Sequence, residues 1–151
     1  MAYQGIPPSY AGGVPASQYS AWAIRVGAYL IDVAPVIGAW IVFLIIASIL
    51  RSTAVDILLY LVLAVGSLAY SVYNRWILGG QGQTIGKKQL GIMLVSEQTG
   101  QPIGTLNAFL RDICHIVDGL ICYIGYLFPL WDAKRQTIAD KIMGTVVIPS
   151  R

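Results

Sequence analysis

The chain reads as a mainly α membrane protein: a two-helix transmembrane hairpin, a third membrane-embedded helical segment that either re-enters or spans, and a small two-strand cytoplasmic element. Three observations predict this class. Of 151 residues, 56% are hydrophobic and only 11% are charged, against about 25% charged in a soluble domain of ordinary composition. Two apolar runs reach the length needed to cross a bilayer. A short internal repeat ends each time in a β-favouring run.

Residues 1–20, MAYQGIPPSYAGGVPASQYS, contain no Lys or Arg and are rich in Pro, Gly, Tyr and Ser. They are expected to form a disordered tail ahead of a membrane domain over 21–151. Without a basic leader the next span is not expected to be a cleavable signal peptide. The tyrosines make the tail either a docking segment or a solvated low-complexity leader.

The first span runs from Ile24 to Leu50, apolar except for Arg25 and Asp32, and ends at Arg51. Pro35 is expected to kink it just after Asp32. A second run from Ile57 to about Tyr73 is extended by Asn74, Arg75 and Trp76, residue types that suit a membrane interface. Arg51, Ser52 and Thr53 leave only a tight connection, so the two helices pack as an antiparallel hairpin.

The third segment, Leu106 to Trp131, is long enough to cross once but carries Arg111, Asp112, His115 and Asp118 in its first half. Basic residues cluster before it (Arg75, Lys87, Lys88) and after it (Lys134, Arg135, Lys141), and both clusters prefer the cytoplasm. A single crossing would separate them. A re-entrant or broken helical hairpin bent near Gly119 to Gly125 is therefore favoured over a plain third span, with both chain ends cytoplasmic.

The repeat aligns Gln83–Val95 (QTIGKKQLGIMLV) without a gap on Gln136–Ile148 (QTIADKIMGTVVI). In each copy a Gln-Thr start, where Thr can cap a helix, leads through a short amphipathic stretch to Gly and a β-favouring run. The two runs are expected to pair with each other. Upstream, Arg25-x6-Asp32 has an echo in Arg111-x6-Asp118, but the upstream spacings differ, and chance and duplication both remain open.

The Arg25 and Asp32 pair at the head of the first span, the segment Gly82–Val95 and the segment Arg135–Pro149 resemble the RDD family of prokaryotic membrane proteins, over nearly all of the chain after the tail. The resemblance carries the family's arginine and two aspartates to Arg25, Asp32 and Asp140. It implies a bacterial or archaeal plasma membrane and a core architecture rather than a reaction. The chain departs from the family at Ala139, where relatives often have histidine, so no role of that histidine transfers. The Pro/Gly/Tyr-rich leader is similar to that of actinobacterial members.

A charge at the centre of a membrane helix costs about 2.5–3.5 kcal/mol on insertion scales, so Arg25, Asp32, Arg111 and Asp118 are candidate binding residues, and the resemblance adds Asp140. Seven residues are almost two turns, which puts Arg25 and Asp32 on one face about 10 Å apart along the axis. If the Arg111 helix enters from the same side, Arg25 is expected to meet Asp112, and Asp32 to meet Asp118 in a buried carboxylate couple beside His115. Such a couple would share a proton or hold a cation. The alternative is that Arg25 snorkels and the aspartates act as packing determinants.

Other chemistry is not expected. Gly80–Lys88 lacks the glycine spacing of a phosphate-binding loop and has Lys88 where Ser or Thr belongs. The lone His115 cannot build a multi-histidine metal or haem site, and no cofactor is implied. Cys114 and Cys122, about 12 Å apart along a helix, cannot pair with each other. No catalytic constellation can be assembled. The net charge of +3 fits contact with anionic lipid headgroups, not nucleic acid. Two classes remain: a non-catalytic accessory or assembly component that contacts other membrane subunits or itself, and an oligomeric ion or proton-coupled cation transporter using Asp32 and Asp118.

Overall fold

The structure is a computed structural model that describes residues 19–120 and 124–150. The tail expected over 1–20 lies almost wholly outside the described residues, and so does Cys122.

Helix α1 (Trp22–Leu50) passes through Pro35 and ends at Arg51, whose left-handed backbone turns the chain back. Helix α2 (Thr53–Ser71) returns alongside it and continues as a π-helical stretch, Val72–Leu78. Trp40 Nε1 donates to Ser67 Oγ at 3.2 Å and the Tyr70 hydroxyl donates to the Asp32 carbonyl at 3.0 Å, which fixes the antiparallel register of the hairpin. The segments Trp22–Leu50 and Thr53–Leu78 are long and apolar enough to cross a membrane, and Leu44, Ile49 and Val65 point outward from them.

A short helix α3 (Ile85–Gln89) and strand β1 (Ile92–Ser96) follow, and the same pair recurs near the end of the chain as α6 (Ile138–Met143) and β2 (Thr145–Pro149). Between them lie α4 (Thr105–Leu120), α5 (Ile124–Leu127) and a 3-10 turn, Phe128–Leu130. The axis of 105–120 meets that of 124–130 at 107°, the broken arrangement expected from the sequence.

Strands β1 and β2 pair antiparallel, as the repeat predicts, with Leu94 opposite Val147. Those two residues are also equivalent in the repeat. A local two-fold axis therefore passes through the Leu94–Val147 pair and relates the copies, and the duplication is structural. Small polar contacts obey the same symmetry. Gln83 donates to the Ile92 carbonyl at 3.0 Å and Gln136 to the Thr145 carbonyl at 2.9 Å. Thr84 caps α3 and Thr137 caps α6, and both copies close on a glycine with positive φ, 64° at Gly91 and 58° at Gly144, a region glycine enters without penalty. One sheet face packs Ile92, Leu94 and Val147 against Ala28 of α1, and the other gathers Met93, Val95, Val146 and Ile148 with Tyr19.

Candidate functional site

The charged residues predicted from sequence lie where the first half of α1 and the middle and end of α4 meet α3 and α6, but they are wired differently from the expectation. Asp32 and Asp118 do not form a carboxylate couple. Each caps the short helix of one repeat copy, because the first amides of a helix have no intrahelical acceptor and a carboxylate satisfies them well.

In the first copy, Asp32 Oδ1 accepts from the Gly86 amide at 2.7 Å and from Asn74 Nδ2 at 2.8 Å, while Oδ2 accepts from the Thr84 hydroxyl at 2.6 Å. Asn74 Oδ1 takes the neighbouring Ile85 amide at 2.9 Å. In the second copy, Asp118 Oδ1 accepts from the Ile138 amide at 3.1 Å and Oδ2 from the Ala139 amide at 3.4 Å, with His115 Nδ1 at 2.6 Å from Oδ2. The echo between Arg25-x6-Asp32 and Arg111-x6-Asp118 is thus a repeated contact: the aspartate of each motif holds the helix of its own copy. Close approach makes this possible. A Cβ on Gly86 would collide with the Ala28 carbonyl of α1, and one on Gly125 with Asp118.

The two arginines converge on Asp140, which is fully buried. Arg111 sends Nε and Nη2 to Oδ1 at 2.8 and 2.7 Å, and Arg25 reaches Oδ2 from α1. The Thr145 hydroxyl at 2.9 Å and the Thr137 amide at 3.1 Å complete five donors to one carboxylate. Burial alone would push this carboxyl up, but Arg111 and Arg25 overcome it and hold Asp140 well below the usual carboxylate range. Arg25 also donates to the carbonyl of Arg135, which is turned inward by a left-handed backbone at that residue. Chemically this is a permanently ionised knot tying α1, α4 and α6, with each guanidinium in the multi-donor geometry that arginine favours.

The pairing of Arg25 with Asp112 does not occur. Asp112 instead takes Arg75 at 2.9 Å and Trp76 Nε1 at 3.0 Å, joining α4 to the π-helical stretch. Asn74, read from sequence as an interface residue, is buried in the site, because the wider π turn carries it inward. Asn74, Thr84, Gly86 and Thr145 were not marked as site residues. The Gln-Thr starts of the repeat carried a signal for Thr84, whereas nothing in the sequence marked the π turn that positions Asn74. Among the described residues no group of three His, Cys, Asp or Glu side chains is placed to hold a metal ion.

Two apolar helices of membrane length and an internally duplicated, charge-knotted lobe at their base define an integral membrane protein with a buried polar core. The RDD family model matches residues 19–144, and the chain belongs to the RDD family. Its relatives include a protein named proline-rich antigen homolog in Mycobacterium tuberculosis strain H37Rv, 40% identical over 157 residues, and one named proline-rich antigen in Mycobacterium leprae strain TN, 38% identical over 157 residues. Each alignment takes in 90% of this chain but only 65% and 63% of those proteins, so the chain spans less than two thirds of their length. No solved structure matches it.

Proposed function

We propose that the protein is a non-catalytic accessory or assembly component of a complex in the bacterial plasma membrane, with both chain ends on the cytoplasmic side. One observation carries this reading. Every carboxylate on the predicted polar face is filled by donors from another part of the fold, so the charges join the two repeat copies to the helical hairpin. A carboxylate occupied in this way is a structural cross-link, and what the molecule offers outward is the apolar surface of α1 and α2.

The topology supports the same reading. Strand β1 precedes the bent segment and β2 follows it, yet the two pair, which supports a re-entrant path for α4 and α5. The backbone just before α1 joins the same sheet, with the Ser20 amide donating to the Val147 carbonyl at 2.9 Å. With two crossings, this pairing and the positive-inside bias of the lysines and arginines around the sheet support the reading that both chain ends are cytoplasmic. Cation transport through Asp32 and Asp118 would need groups free to exchange protons, and both carboxylates are engaged with helix amides.

The test is the native mass and composition of the tagged protein extracted from its own membrane in mild detergent. Stoichiometric recovery with unrelated membrane subunits is expected. A homogeneous homo-oligomer whose cation flux in proteoliposomes is abolished by Asp32→Asn would overturn the proposal.

A further inference from the structure

Helix α4 is tied along its whole length to residues at one level of the fold. At its start the Gly104 amide donates to the Gly80 carbonyl at 2.9 Å, and a Cβ on Gly80 would strike the Thr105 amide. Midway, Phe109 meets the Trp76 ring edge-on at 4.7 Å, Asp112 takes Arg75 and the Trp76 indole, and Arg111 shares Asp140 with Arg25. Near its end His115 stacks on Tyr126 at 5.3 Å, and the Tyr126 carbonyl accepts from the Trp22 indole at 2.8 Å.

These partners mark the cytoplasmic edge of the bilayer. Asn74 and Asp32 hydrogen-bond at 2.8 Å and so share a level. From that level to the hairpin turn, Asp32–Leu50 rises about 27 Å, close to the ~30 Å of a hydrocarbon core, so residues 22–25 and 75–80 lie at or beyond its edge. If the 16 residues of α4 ran along the membrane normal, its ends would differ in depth by about 22 Å and one would sit beside the middle of a span. Among the described residues no hydrogen bond, ion pair or ring contact joins α4 to either span deeper than Asp32 or Asn74.

The side of α4 turned away from these contacts is a continuous apolar line. Leu106, Leu110, Ile113, Val117 and Leu120 recur every three or four residues, opposite Ala108, Arg111, His115 and Asp118. Leu106 and Leu120, the two ends of the line, are 69% and 77% exposed. Tyr73 and Ile77, in the stretch on which α4 packs, are exposed as well, so lipid covering the hairpin reaches α4.

We propose that α4 lies flat at the headgroup–acyl boundary of the cytoplasmic leaflet, with this line packed on lipid acyl chains. The proposal rests on the two crossings and the cytoplasmic sheet of the function proposed above, and it is independent of any partner subunit. The third segment then returns by a shallow path, and the Asp140 knot on the other side of α4 stays at headgroup level, out of the hydrocarbon.

The experiment places one spin label at a time at Leu106, Ile113 or Leu120 of the full chain, in a Cys114→Ser, Cys122→Ser background and in phosphatidylcholine–phosphatidylglycerol bilayers. Ile41 of α1 is the deep reference. Relaxation by oxygen and by a water-soluble nickel chelate reads the depth of each label. The three α4 labels are expected at about 5–10 Å below the headgroups, within about 5 Å of one another and shallower than Ile41. A steady change of about 20 Å from Leu106 to Leu120 would overturn the proposal in favour of a helix that plunges or crosses. Labels bathed in water would overturn it too, and labels reached by neither reagent would overturn it by placing protein on the face. Gln98→Cys, in the exposed turn after β1, reports the side separately. A membrane-impermeant maleimide should modify it in inside-out vesicles and not in spheroplasts. Modification in spheroplasts would remove the cytoplasmic topology and the leaflet assigned here with it, whereas a graded depth with the expected sidedness would sink the flat placement alone.

Discussion

Replacing Asp140 by asparagine leaves the volume of the knot unchanged and removes only its negative charge. Arg25 and Arg111, whose side chains are 12% and 11% exposed, would then face each other without a counter-charge. The amide can keep one oxygen toward Arg111 and the Thr145 hydroxyl, but its NH2 must then point at Arg25 Nη2 and the Thr137 amide, donor against donor. Breaking a buried pair by removing one partner costs about 3–5 kcal/mol. At roughly 2–4 °C per kcal/mol for a chain of this size, Asp140→Asn should unfold about 6–20 °C below the wild type.

The assay is thermal unfolding of the detergent-solubilised protein followed by tryptophan fluorescence, repeated across pH. Because the folded-state pKa of Asp140 is lowered, its contribution is present above the unfolded value near 3.9 and is lost as pH falls below it. Wild-type stability should therefore decline in acid with a limb that the variant lacks. A variant within about 2 °C of wild type at pH 7 would refute the view that Asp140 holds the fold together.

Gly86→Ala should destabilise by about 1–3 kcal/mol, since its Cβ meets the Ala28 carbonyl and can be accommodated only by moving α3 off α1; the same melting assay reads it. Thr137→Ala removes the side-chain half of a complete capping box on α6 and should cost about 1 kcal/mol. Lys87 is lowered in the folded state to about 7 from 10.5, so between those values the unfolded chain binds more protons and stability should rise with pH. Lys87→Met should flatten that rise, and an unchanged slope would show that burial and the neighbouring Arg111 and Arg25 do not hold the Lys87 ammonium down.

Much of the fold was legible because its signals are periodic or repeated. Membrane-length apolar runs specify the hairpin, and the ungapped Gln-Thr repeat specified both short helices, their threonine caps and the strand pairing. The partners of the charges were not legible in the same way. Helical spacing placed Asp32 and Asp118 at similar depths, but depth does not say which neighbour a carboxylate meets. The unsatisfied amides of α3 and α6 are the stronger claim on those oxygens, and they come from short helices that carry little periodicity of their own. Arg25 was assigned to the nearest acid by level, Asp112, whereas the chain before α6 folds back far enough to bring Asp140 to it. Asn74 reads as an interface residue because a polar residue next to Arg and Trp at a span end ordinarily faces the interface, and only the π turn reverses that.

The most direct measurement is amide hydrogen exchange at the starts of α3 and α6 in Asp32→Ala and Asp118→Ala. Each aspartate caps the short helix of one repeat copy, and a cap or hydrogen bond of this kind contributes about 1–3 kcal/mol. Exchange at Gly86 should accelerate by about tenfold or more in Asp32→Ala, while Ile138 and Ala139 keep their protection. The reverse pattern should hold in Asp118→Ala. Unchanged exchange at Gly86, Ile138 and Ala139 in both variants would contradict the central claim that these carboxylates are structural cross-links between the helices and the repeat copies.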